Sequence, residues 1–224
     1  MMTHFEVELQ SLRERLLAMA SRAEASVARA MDALIARDDD AARRVREEDD
    51  AIDQLEKAID EEAIRLLSKA PLATQLRLIV TTTKIARDLE RVGDEATTIA
   101  RRSIELSQEP QLKPYVDLPR MAQLTRGMLN DALQAFVARD PALARGVIPR
   151  DREVDALNKQ LYRELAGCMI TDPGTTNRSL NLMAISKALE RIADHAKNIA
   201  EDVVYLYEAK DIRHAGSQSG APPP

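Results

Sequence analysis

Apolar residues recur along this chain at steps of three and four, in six long runs. Phe5, Leu9, Leu12, Leu16, Met19, Ala23, Val27, Ala30 and Leu34 form the first run, over residues 4–37. That spacing lays one apolar stripe along an α-helix. Arg37-Asp38-Asp39-Asp40 interrupts it, with Asp suited to a turn and to the next N-cap. A second helix is predicted from about Asp40 to Lys69, with the stripe Val45, Ile52, Leu55, Ile59, Ala63 and Leu66. Ala70-Pro71 ends it, because a residue before proline leaves the α region. The third helix runs from Ala73 to Leu106 on the seam Leu78, Ile85, Leu89, Val92, Ala96 and Ile99.

Pro110, Pro114 and Pro119 then mark a linker, and the pattern starts again. Leu118 to Arg139 is a fourth helix. Asp140-Pro141 opens a fifth, with proline at the first helical position. It reaches about Ile170, with a kink or restart predicted at Pro149-Arg150. Thr171 to Gly174 is a turn, and a sixth helix covers Thr175 to Ala209. The tail from Gly216 to Pro224 is low-complexity and expected to be disordered.

The second half repeats the first. At an offset of 102, Met19 meets Met121, Ala36-Arg37-Asp38 meets Ala138-Arg139-Asp140, and Val45 meets Val147. Asp49 meets Asp151, Asp53 meets Asp155, and Glu62 meets Glu164. Past the second turn the offset drops to 100, as a loop two residues shorter would cause. There Leu89-Glu90-Arg91 meets Leu189-Glu190-Arg191, and Asp94 meets Asp194. Three helices with short connections pack as antiparallel neighbours. The predicted fold is therefore all-α: two tandem three-helix bundles related by internal duplication, six long helices in all. The expected division is 1–109 for the first unit, 110–119 for the linker, 120–215 for the second unit and 216–224 for the tail.

Composition agrees with helices. Aromatics are 3% of the chain and Trp is absent, so the core must be Leu, Ile, Val, Ala and Met. Met128, Met169 and Met183 are expected to fill gaps in it. No apolar run approaches the ~20 residues of a membrane span. Met1 to Gln10 carries acids and no apolar core segment, so no signal peptide is expected. The net charge of -5 gives no reason to expect nucleic acid as a partner. The single cysteine, Cys168, excludes an internal disulfide, fits a reducing compartment and is expected to be a small buried residue.

The chemistry lies in the duplicated acids. Glu90 and Asp94 are four residues apart and so share a helical face, as do Glu190 and Asp194. They lie about 100° round from Leu89 and Gly93, on the flank of the seam rather than in it. Asp49 and Asp53 form a similar pair on the preceding helix, as do Asp151 and Asp155. If consecutive helices bring these flanks together, four carboxylates meet on one outer patch of each unit. Acidic i,i+4 stripes are ordinarily solvated faces. Here, however, like charges at that spacing are mildly destabilising, and the duplication keeps them. Arg91 and Arg191 stand ready to neutralise part of the patch.

A hard cation is the natural complement, since carboxylate oxygens suit magnesium, manganese, calcium or iron. The Glu-x-x-His spacing of ferritin-like sites is absent. His195 points away from Asp194 and reads as a surface or supporting residue, and Asp88 as a surface one. Thr81-Thr82-Thr83 reads as helix interior. There is no glycine-rich phosphate loop, no G-x-S-x-G and no H-E-x-x-H. Seven glycines and three histidines leave little material for a catalytic pocket.

The repeated Leu-Glu-Arg-Val-Gly-Asp and Leu-Glu-Arg-Ile-Ala-Asp stretches, in a doubled three-helix frame, closely resemble the PhoU family. Asp211-Ile212-Arg213-His214-Ala215-Gly216 is similar to that family's C-terminal motif, and Ala193 departs from its usual glycine. The resemblance implies a non-enzymatic cytoplasmic regulator, peripheral at the inner face of the membrane through its partners. Those partners are the phosphate ABC transporter ATPase and the phosphate-sensing histidine kinase, and the protein keeps the starvation response off. It further implies a homodimer and surface metal clusters of iron, manganese or magnesium. The implied ligands are Asp49, Asp53, Glu90 and Asp94 in the first unit, and Asp151, Asp155, Glu190 and Asp194 in the second. Two rival readings stand beside it. One is a multinuclear metal-dependent hydrolase or oxidase; the other is a plain helical docking adaptor without metal.

Overall fold

The computed structural model of the chain describes residues 4–69 and 72–213. The expectations for Ala70-Pro71, for His214 to Gly216 and for the tail lie outside the described residues. The described chain folds into α1 (His4–Ala36), α2 (Asp39–Glu47), α3 (Asp50–Leu67), α4 (Ala73–Ser107), α5 (Asp117–Ala138), α6 (Pro141–Val147), α7 (Asp151–Thr171) and α8 (Thr176–Glu208). All six predicted rods are present. The second and fifth each consist of two helices. The fifth breaks at a 3₁₀ turn over Ile148–Arg150, where Pro149 removes a backbone donor. The second breaks at Glu48-Asp49, which the sequence does not announce.

The two units begin their second rods in the same way. Arg37 and Arg139 both adopt left-handed backbone, with φ of 55° and 58°. The following aspartates then cap the next helix. Asp38 accepts from the Ala41 amide, and Asp140 from those of Ala142 and Leu143. These caps satisfy amides that have no partner inside the helix, at about 1 kcal/mol each. Arg37 also donates to the carbonyls of Leu106, Ser107 and Glu109, closing the C-terminus of α4.

The seams predicted from spacing are the core. Leu78, Ile85, Leu89, Val92, Ala96 and Ile99 are all buried, as are Leu12 through Leu34 of the first stripe. Met128 and Met183 are buried and Met169 partly so. Thr81 and Thr82 are fully buried. Cys168 is only half-buried, because the buried stripe of α7 ends at Leu165.

The most extensive helix pair is α4 with α8, so the two long third helices join the units. They run antiparallel. Lys84 pairs with Asp202, Asp88 with His195, Glu95 with Arg191, and Arg102 with Asn181. The core is in consequence one continuous apolar cluster drawn from both units.

Candidate metal centre

In the first unit Asp49 occupies the break between α2 and α3, and Asp53 follows one turn later. The break drops α3 onto α4 at Gly93. A Cβ built on Gly93 would lie 2.7 Å from Asp49 Oδ1 and 3.1 Å from Ile52 Cδ1. Gly93 lies between Glu90 and Asp94, so this contact brings the α3 acids beside the α4 acids. Glu90 is 18% exposed at its side chain and Asp94 44%, as expected for a flank rather than a core.

Asp49 and Glu90 feel the charge of the neighbouring acids. Burial, with the negative charges of Asp53, Asp94, Glu90 and Asp50, pushes the Asp49 carboxyl up to about 6. Burial and Asp94 also raise Glu90, against the opposing charge of Arg91. Arg91 donates to Asp94 Oδ2 at 2.8 Å and lies 3.3 Å from Glu90 Oε2. A cavity of about 420 Å³ opens beside Glu90, lined also by Glu56, Asp60, Thr83, Lys84, Arg87 and Arg91.

Among the described residues, no three His, Cys, Asp or Glu side chains converge tightly enough to hold a metal ion in their present rotamers. The donor chemistry of the first set nevertheless fits a hard cation. It comprises four carboxylates, of which Asp49 and Glu90 are raised by burial and by neighbouring acids, while Arg91 pairs with Glu90 and Asp94.

The second unit places its acids differently. Asp151 is buried rather than on an outer flank, because α7 packs its first turn against α8. Lys197 donates to Asp151 Oδ2 at 2.7 Å and to Asp194 Oδ1 at 3.3 Å. Burial works to lower the pKa of this ammonium. The Asp151 hydrogen bond and the charges of Asp151 and Asp194 outweigh that and raise it. Lys187 binds Glu190 at 2.5 Å. Arg191 does not neutralise its own cluster; it reaches across to Glu95 of α4 at 3.1 Å. In the second set Lys197 thus bridges Asp151 and Asp194.

Lys197 and Lys187 are not among the residues singled out from the sequence, and Asp88 reads there as a surface residue. Lys197 stands three residues after Asp194, a spacing that favours a pair, but its reach to Asp151 depends on how α7 crosses α8. Asp88 is more than a surface residue, since its Oδ1 lies 2.8 Å from His195 Nδ1 and links α4 to α8. Lys187 lies three residues before Glu190, and that pair was legible from spacing.

Known proteins match this chain over most of its length. A family profile described as the PhoU domain matches twice, over residues 16–103 and 118–203. The chain is 44% identical over 214 residues to the phosphate-specific transport system accessory protein PhoU homolog of Pseudomonas putida. That alignment covers 95% of this chain and 84% of the relative. The crystal structure of PhoU from Pseudomonas aeruginosa superimposes with a TM-score of 0.90 at 42% identity, covering 92% of this chain and 100% of that one. The phosphate transport system regulatory protein PhoU from Streptococcus pneumoniae gives a TM-score of 0.87 at 28% identity, covering 93% and 99%. These relatives are named as accessory or regulatory proteins, not as enzymes. A three-helix frame that occurs twice, with the same acids in the same register and one domain profile on each copy, makes this chain a member of the PhoU family.

Proposed function

We propose that this protein is an accessory regulator of phosphate uptake. In this reading it restrains the phosphate ABC transporter and its sensor histidine kinase when phosphate is plentiful, and it works at the inner face of the membrane through those partners, as a homodimer. Its membership of the PhoU family, over nearly the whole chain, is the observation that carries this reading. No described helix is long and apolar enough to cross a membrane.

The first acidic cluster is assigned to metal within this proposal. Asp49, Asp53, Glu90 and Asp94 would hold an iron, manganese or magnesium ion through carboxylate oxygens. Such a cation supplies positive charge that draws these carboxylates together and leaves open positions for anionic groups of a partner. The chain's own part is to desolvate Asp49 against Gly93 and to hold Arg91 across Glu90 and Asp94.

The test uses a deletion strain carrying a phosphate-starvation reporter. Loss of the protein is expected to switch the reporter on in phosphate-rich medium, and the wild-type chain to switch it off again. A reporter that stays silent on deletion would sink the regulatory reading. Metal analysis of protein purified without chelator, compared with Glu90→Ala/Asp94→Ala, tests the cluster. Equal metal content in the two proteins would remove metal from the first unit.

A further inference from the structure

The two acidic clusters align through the repeat, and one of the positions where they differ brings a cation to the second. The offset of 100 that aligns Glu90 with Glu190 and Asp94 with Asp194 aligns Thr97 with Lys197. Thr97 brings no charge to its cluster: its hydroxyl donates to the Asp94 carbonyl of its own helix at 2.8 Å. Lys197 instead bonds Asp151 from α7 and Asp194 from α8. It thus ties together two carboxylates on neighbouring helices, which is the task a bridging cation would perform.

From this geometry we propose that Lys197 acts as a built-in substitute for metal in the second cluster, so that the two units are functionally unequal. The inference rests on the metal reading of the first cluster only for its contrast; the claim about Lys197 stands on the second unit alone.

Three further observations agree. Asp151 is 7% exposed, so the cation that faces it must come with the fold or displace something that does. Its other oxygen, Oδ1, is buried without a hydrogen-bond partner among the described residues, leaving a donor for a metal once the ammonium is gone. Glu190 pairs with Lys187 at 2.5 Å, whereas the ion pair of Glu90 is with Arg91, which also binds Asp94. An ammonium already within hydrogen-bond distance of two acids repels a divalent ion and occupies the oxygens it needs.

The experiment measures manganese retained per chain after equilibration with Mn²⁺ and gel filtration. It compares wild type, Lys197→Thr, Lys197→Arg, and each of these in the Glu90→Ala/Asp94→Ala background. Lys197→Thr is expected to retain more manganese than wild type, and that gain persists in the Glu90→Ala/Asp94→Ala background. Lys197→Arg keeps the charge and is expected to show no gain. A folded Lys197→Thr chain that retains no more manganese than wild type overturns the proposal. Asp151→Asn/Asp155→Asn in the otherwise wild-type chain gives a second measurement, independent of whether Lys197→Thr folds. Unchanged manganese there supports the proposal, and a loss overturns it. Failure of the first cluster reads out separately, as a Glu90→Ala/Asp94→Ala chain that retains as much manganese as wild type.

Discussion

Gly93 of α4 lies directly beneath Asp49 at the head of α3, so close that a methyl group there would stand 2.7 Å from the carboxylate oxygen. The repeat carries Ala193 at the matching position, where the second unit has already turned its aspartate toward a lysine. Glycine inside a long helix costs up to about 1 kcal/mol relative to alanine, so its presence at the acidic patch coincides with a spatial need.

Gly93→Ala should therefore separate stability from metal retention. The helix gains up to about 1 kcal/mol of propensity, offset by displacement of Asp49 and Ile52, for a net change within about 1 kcal/mol. The carboxylate is the more easily moved of the two, so metal retention should fall. Denaturant unfolding alongside metal analysis checks both. A variant with wild-type metal content would show that Asp49 needs no contact at this position.

The raised Asp49 carboxyl sets a pH signature for the metal-free chain. Its pKa rises from an ordinary 3.8 to about 6 on folding. Between those values the folded chain keeps a proton that the unfolded chain has released. Its contribution to stability is thus intact below the lower value and is lost as pH rises through the upper one. Metal-free Asp49→Asn should match wild type near pH 4 and exceed it above about pH 6. Thermal unfolding across that range in the presence of chelator tests the sign, and a wild type that gains on the variant with rising pH refutes it.

Leu89 and Glu90 are neighbours with opposite duties. Leu89 is fully buried, and Leu89→Ala should cost about 3 kcal/mol through lost transfer energy and the cavity left behind. Glu90→Ala should change stability by less than about 1 kcal/mol, since its ion pair with Arg91 is partly exposed. Chemical denaturation of both variants gives the comparison, and equal losses would contradict the separation of seam from flank.

His195 and Asp88 fasten α8 to α4 at 2.8 Å, with both side chains mostly shielded from solvent. Asn198 approaches the same Asp88 oxygen at 3.5 Å. His195→Ala should cost about 1 kcal/mol. It should also speed amide exchange along the middle of α4 and α8 before it affects α1 or α5. Exchange that quickens evenly across all helices would mean the pair has no local role at the junction of the units.

The duplicated frame was legible because helical periodicity is local. A backbone rising 1.5 Å and turning about 100° per residue decides which side chains share a stripe, whatever the stripe meets. That alone separated Leu89 from Glu90 and Leu189 from Glu190, and both leucines are buried while both acids flank them. It likewise paired each Glu with an Asp one turn on, and the repeat offset found Asp49, Asp53, Asp151 and Asp155.

Contacts between helices were not open to the same reasoning. The break at Glu48-Asp49 carries no proline, and it appears only where α3 must reseat itself on Gly93. Asp151 was placed on a flank by its periodicity and is buried because α7 lies against α8. Arg191 stands beside Glu190 in sequence, yet it serves Glu95 on another helix. The sequence by itself determined the helices, their inward faces and the duplicated acids, since each depends on residues within a few turns. Only the tertiary structure decided which cation faces which carboxylate. Charge acts through space, and Lys197 is three residues from Asp194 but reaches Asp151 only across the packed junction of two helices.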